Sequence, residues 1–162
     1  QQENALCAKL RGQRMKKALP HKSARRRARE LALQGIYQWQ LAQTPVQDIL
    51  RQLEDADNYA RADGEYFRVL LEGVITQFGA LTAQLQPHLD RVQEQLTPIE
   101  RGILLLGAYE MTQRPDVPPA VVINEAVELA KTFGGTDGHK FVNGVLDKLA
   151  AGLRAEARGR RE

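Results

Sequence analysis

Between residues 97 and 114 runs Thr-Pro-Ile-Glu-Arg-Gly-Ile-Leu-Leu-Leu-Gly-Ala-Tyr-Glu-Met-Thr-Gln-Arg, and no other stretch restricts the fold so tightly. Thr97 can cap a helix, Pro98 suits its first position, and Glu100 sits where a capping-box carboxylate reaches back to the cap. At about 100° per residue, Ile103, Leu104, Leu105, Leu106 and Ala108 point almost all round the axis. A helix that is apolar on every side has to be covered on every side. It is too short to span a bilayer and is flanked by charges, so it is expected at the centre of an all-α fold with the other helices packed around it. A chain of 162 residues suits a single compact domain with one core.

The remaining chain supplies those helices. Residues 1–22 show no sustained helical period and read as a flexible basic extension. Ser23 caps a helix reaching about Gln43, with Ala28, Leu31, Ala32, Gly35, Ile36, Trp39 and Ala42 as its core stripe. Arg26, Arg27, Glu30, Gln34 and Tyr37 fall on the opposite side, and Arg25 and Arg29 flank the stripe. Thr44-Pro45 opens a second helix to about Glu54, with Val46, Ile49, Leu50 and Leu53 apolar. After a loop, Asp63 caps a third helix to about Gln84, which buries Phe67, Leu70, Leu71, Val74, Ile75, Phe78 and Leu81. Gln86-Pro87 breaks it, and a short helix leads on to about Gln95. Beyond the stiff connector 114–119, an amphipathic helix to Phe133 turns Val122, Ile123, Ala126, Leu129, Ala130 and Phe133 inward. Gly134-Gly135 ends it. Thr136 or Asp137 starts a last helix to about Leu153, with Val142, Val145, Leu146, Leu149 and Leu153 as its stripe. Residues 23–153 thus form the domain, and 154–162 read as a frayed basic tail.

Charge is distributed unevenly along this frame. Residues 1–30 hold ten Lys/Arg against two acids, a net +8, and residues 31–153 hold nine against sixteen, a net −7. An acidic body with a basic head fits a polyanion held at one end as well as it fits a solubilising tail. Four arginines, Arg25, Arg26, Arg27 and Arg29, fan around the first turns of one helix. That end of the helix dipole favours anions, so the placement breaks a local rule without structural gain, which marks function. Tyr37, an aromatic on the polar side, fits either an edge contact or a partner site. Phe141, Gly144 and Lys148 share a face of the last helix beside Lys140, where a base could stack and its phosphate be held; Phe141 could equally seal the turn before it.

Catalytic and metal chemistry have little to stand on. His21, His88 and His139 lack a second ligand at helical spacing, and the only cysteine, Cys7, has no partner for a disulfide or a thiolate zinc site. Asp55, Asp57 and Asp63 miss the calcium-loop spacing. There is no phosphate loop, dinucleotide fingerprint or nucleophile elbow. Neither a transmembrane run nor a secretory signal is present, and a reducing cytoplasm is the natural setting. No enzyme, cofactor, metal or membrane role is expected.

Six segments carry a resemblance. They are Ala24-Arg-Arg-Arg-Ala-Arg-Glu30, Tyr37-Gln-Trp-Gln40, Tyr66-Phe67, Ala108-Tyr-Glu110, Asn124-Glu-Ala-Val-Glu-Leu-Ala-Lys131 and Lys140-Phe-Val-Asn-Gly-Val-Leu-Asp-Lys148. Over about 24–149 the chain resembles the NusB family, and the last two segments together are the most specific. The resemblance implies an all-helical domain of about seven helices and a non-catalytic role in transcription antitermination. It implies binding of single-stranded boxA RNA in nascent ribosomal RNA transcripts, together with the ribosomal protein NusE, and indirect contact with other Nus factors and RNA polymerase. By the same resemblance, Arg25, Arg26, Arg27, Arg29, Asp137, Lys140 and Phe141 face RNA, and Tyr37 and Glu100 face NusE. His88 stands where the family often has tyrosine, which leaves its part in partner contact open. The N-terminal extension exceeds the family's usual length. Some members form homodimers, and the sequence does not choose between monomer and dimer.

Two other classes compete. The RNA-binding helical domain of an RNA methyltransferase looks similar, but the chain has no cofactor-binding sheet or glycine-rich strand-turn-helix. A helical interaction module that binds no RNA would carry its basic head only as a tail.

Overall fold

The structure is a computed structural model that describes residues 22–90 and 95–161. Most of the expected N-terminal extension, with Cys7 and His21, and residues 91–94 of the short helix expected up to Gln95 lie outside the described residues. The described residues form helices and no strand. These are α1 (Ala24–Ala42), α2 (Val46–Glu54), α3 (Gly64–Thr76), α4 (Phe78–Leu85), α5 (Pro98–Gln113), α6 (Pro119–Phe133) and α7 (Gly138–Arg161), with single 3-10 turns at Tyr59–Arg61 and Gln86–His88. They group into two compact units, Gln1–Thr76 and Gln77–Glu162.

In the first unit α1 packs against both α2 and α3. Ser23 caps α1, its Oγ accepting from the Arg26 N–H at 3.0 Å. The three helices cross closely at Gly35, where a Cβ would lie 2.8 Å from Leu71 Cδ1 and 3.1 Å from Ile49 Cγ2. A side chain there would have to push the Leu71 methyl groups aside, and glycine lets the helices approach without that shift. Asp63 caps α3 as expected, its carboxylate accepting from the Tyr66 N–H at 3.0 Å. The Asp63 N–H donates to the Ala24 carbonyl at 3.0 Å, which ties the start of α3 to the start of α1.

The buried face of α1 differs from the sequence stripe. Trp39 is half-buried and Ala42 exposed, while Leu33 is fully buried. Glu30, expected on the polar side, is buried and takes an ion pair from Lys22 Nζ at 2.7 Å. The contact from Lys22 to Glu30 comes from the residue just before the helix cap, which a helical wheel does not show. The expected helix from Asp63 to Gln84 is two helices, broken at Gln77 (φ −102°, ψ 20°), where the unit boundary also falls. Ile75 and Phe78, beside that break, are half-buried.

In the second unit α4, α6 and α7 pack against α5, whose residues 102–110 are all buried. The capping box at its start is complete. Thr97 Oγ1 accepts from the Glu100 N–H at 3.0 Å, and Glu100 Oε1 accepts from the Thr97 N–H at 3.3 Å. Helix α7 crosses α5 over Gly107, where a Cβ would lie 2.8 Å from Leu146 Cδ1. Along α6, Val122, Ala126, Leu129, Ala130 and Phe133 are buried, but Ile123 is half-buried. Gly134 ends α6 in extended backbone (φ −85°, ψ 176°) rather than a left-handed turn. Its glycine is required by close approach, since a Cβ would lie 2.7 Å from the Ala130 carbonyl oxygen. The left-handed residue of this turn is Asp137, at φ 64°. Helix α7 does not stop near Leu153 but runs to Arg161. Residues 154–161 are therefore helix rather than a frayed tail. The apolar stripe ends near Ala150, yet the sequence beyond it is rich in Ala and Arg, strong helix formers that need no core.

Candidate nucleic-acid interface

The arginine cluster is built where α1 and α3 begin together. The hydrogen bond from Asp63 to Ala24 brings the first turn of α3 beside the first turn of α1. Tyr66, in that first turn, is 3% exposed and lies beneath two guanidinium groups. Arg25 Cζ stands 4.2 Å from the ring centroid and Arg29 Cζ 5.6 Å. A cation over an aromatic face is held by the ring quadrupole, so Tyr66 fixes both side chains in direction.

The four arginines consequently divide. Arg25, Arg26 and Arg27 are half-buried at the first turn, and Arg29 is buried against Tyr66. No acidic residue occupies the first turn of α1, so the positive pole of the helix and the guanidinium groups reinforce one another. Arg27 has no side-chain partner among the described residues. The nearby acid, Glu30, is engaged by Lys22. The arrangement leaves an electropositive surface with an aromatic-backed floor, suited to a phosphate chain.

Asp137, Lys140 and Phe141 belong to the second unit, at the turn into α7. The left-handed Asp137 directs its carbonyl to accept from the N–H groups of Lys140, at 3.1 Å, and Phe141, at 3.4 Å. Its carboxylate pairs with Lys140 Nζ at 3.4 Å, both side chains being solvent-exposed, so the pair is weak and can open. Phe141 and His139 are half-buried. Glu100, expected on the partner side, stands beside this turn, since a Cβ on Gly138 would lie 3.4 Å from its Oε2. The structure thus brings Glu100 together with the α7 start.

Tyr37 is half-buried on α1 of the first unit. One turn on, Leu41 is 48% exposed, more than any other large apolar side chain among the described residues. The sequence reading passed over Leu41 because it lies off the core stripe, although its spacing of four from Tyr37 puts both on one strip of surface. Tyr66 was passed over as well, having been read only as part of a motif. His88 packs toward α7, its Cε1 lying 3.7 Å from where a Cβ on Gly152 would be. Among the described residues no three His, Cys, Asp or Glu side chains gather as metal ligands, and no helix is long and apolar enough to cross a membrane.

Comparison with known proteins gives one answer at both levels. The family model described as NusB family matches residues 26–151. The transcription antitermination protein NusB of Nitrosomonas europaea is 56% identical over 135 residues, covering 83% of this chain and 81% of that protein. Its namesake in Paraburkholderia phymatum is 58% identical over 135 residues, covering 83% and 93%. Among solved structures, T. maritima NusB superposes with a TM-score of 0.72 at 28% identity, covering 81% of this chain and 93% of that one. A chain of the crystal structure of antitermination factors NusB and NusE in complex with dsRNA gives a TM-score of 0.73 at 25% identity, covering 80% and 97%.

Proposed function

The chain belongs to the NusB family, and from that premise we propose that it is a transcription antitermination factor that binds boxA RNA of nascent ribosomal RNA transcripts jointly with the ribosomal protein NusE. The observation that carries this reading is the run of guanidinium groups at the positive pole of α1, two of them laid on the Tyr66 ring. Arg25, Arg26 and Arg27 bind RNA phosphates. Arg29, buried against Tyr66, orients Arg25 by sharing that ring. Lys140 and Phe141 offer a cation and a stacking face from the α7 start, with Asp137 shaping their turn. Tyr37 with Leu41, and Glu100, belong to the NusE-facing surfaces.

Recognition here is binding without a chemical step. The factor acts where RNA polymerase does, in the cytoplasm, and meets the polymerase and other Nus factors through the assembled RNA–protein particle. Residues 23–153 form the binding domain.

The charge balance sets the division of labour with NusE. Each phosphate neutralised on a single strand adds about 0.7 to the salt slope, so Arg25, Arg26, Arg27 and Lys140 together give a slope of roughly −3. Over residues 31–153, sixteen acids against nine bases work against a lone grip on RNA. A partner bound to the same RNA raises the effective concentration of each for the strand. Titration of boxA RNA at several salt concentrations, with and without NusE, tests this. Tighter binding in the presence of NusE is expected, and equal affinity with and without it overturns the joint-binding reading.

A further inference from the structure

The end of α7 has no core to hold. Its buried residues stop at Leu149 and Ala150, Leu153 is half-buried, and every side chain from Arg154 to Arg160 is exposed. The helix still continues to Arg161, ten residues past the end of the family match at residue 151. Packing therefore does not account for its length or its composition.

Register does. Projected at about 100° per residue, Lys140 and Arg158 coincide after five turns, Arg154 lies about 40° to one side and Lys148 about 80° to the other. Gly144 and Ala151 fall between these cations, and a Cβ at Gly144 would meet nothing within 4 Å, so the floor between them is open. Among the described residues of the helix, one acid, Asp147, stands in this arc and accepts from Asn143 Nδ2 at 3.5 Å. Glu156 projects to the opposite side, where Arg160 pairs with it at 4.0 Å. Arg154 and Arg158 have no side-chain partner among the described residues. A helix C-terminus favours cations, which explains basic residues in the last turn but not their alignment with Lys140 and Lys148 several turns away.

We infer that this face of α7 is an additional, sequence-independent contact for the RNA backbone, in which the strand flanking boxA runs from Lys140 along the helix with its phosphates held by Lys148, Arg154 and Arg158. The inference rests on the proposed function, which places RNA at Lys140. Lys140 and Arg158 are 18 residues apart, about 27 Å of helix axis, room for up to about eight stacked nucleotides. A protein partner would need an apolar anchor to bury, and the face between the cations offers Gly144 and Ala151 instead.

The test uses the full chain, the variant R154Q/R158Q, and two RNA oligonucleotides, boxA alone and boxA with eight added nucleotides at each end. Loss of two phosphate contacts flattens the salt slope for the long RNA by about 1.4, equivalent to roughly 14-fold weaker binding at 0.15 M salt. Binding of the short RNA stays unchanged, and circular dichroism checks that helicity is kept. Equal affinity of parent and variant for the long RNA overturns the inference, as does an equal loss on both RNAs. So does a variant that binds both RNAs normally but loses affinity for NusE, which would make the face a protein contact. The variant Arg27→Ala serves as the control: if it binds both RNAs like the parent, the proposed function fails at α1, whereas its weakening alone leaves that reading intact and rejects only the α7 contact.

Discussion

Replacing Arg27 with Ala should weaken RNA binding and stabilise the fold at the same time. Arg27 sits at the fourth position of α1, in a first turn without an acid, and has no side-chain partner among the described residues. Its charge opposes the helix dipole, a cost of about 0.3–1 kcal/mol, and Ala is also the better helix former. In a chain of this size 1 kcal/mol moves Tm by about 2–4 °C, so the variant should melt about 1–4 °C higher. On the RNA side, one lost phosphate contact removes about 0.7 from the salt slope. Referred to 1 M salt, that is roughly fourfold weaker binding at 0.15 M and roughly eightfold at 0.05 M. Fluorescence anisotropy with labelled boxA RNA from 0.05 to 0.3 M salt reads the first effect, and a thermal melt reads the second. A variant that binds like the parent at 0.05 M, or that melts lower, refutes the reasoning, because the arginine would then be serving the fold rather than the strand.

Three further outcomes are expected. Tyr66→Leu removes the ring under Arg25 and Arg29 but no charge, so RNA affinity should fall by about two- to fivefold, the worth of about 0.5–1 kcal/mol of cation–π contact, with an unchanged salt slope; Tyr66→Phe should restore it, and a flattened slope in Tyr66→Leu would contradict a positioning role. Thr97→Ala breaks the capping box of α5 and should cost about 1 kcal/mol, lowering Tm by about 2–4 °C, while an unchanged melt would show that packing of α5 alone fixes its start. Leu41→Asp changes an exposed residue and should leave Tm within about 2 °C, yet it should weaken NusE binding and abolish the gain in RNA affinity that NusE confers; a normal NusE titration would remove Leu41 from that surface.

What the sequence disclosed follows the range of the interactions involved. The capping box at Thr97 and Glu100, the Ser23 cap and the Asp63 cap are contacts over three residues, and all three stand as read. The all-round burial of α5 was legible because apolar side chains facing every direction admit one outcome. The break at Gln77 was hidden, since the spacing from Val74 to Leu81 keeps a helical period across it. The far end of α7 was misread because the reading followed apolar residues, and there propensity and charge maintain the helix without them. In the candidate site the arginines were visible as a run. Their division into half-buried and buried members was not, because it depends on Tyr66, which reaches them only through tertiary structure. Glu30 was misplaced for the same reason, its partner Lys22 lying in the chain that enters the helix.

The hydrogen bond from the Asp63 amide to the Ala24 carbonyl implies a separation between attraction and aim. A peptide cut from α1 alone would carry all four guanidinium groups and would still be drawn to any polyanion. It would lack the ring that orders Arg25 and Arg29, so those side chains would have to be frozen at the moment of contact, with the entropy loss that entails. Discrimination among RNA strands should therefore appear only once the third helix has docked, making selectivity a readout of folding in this unit.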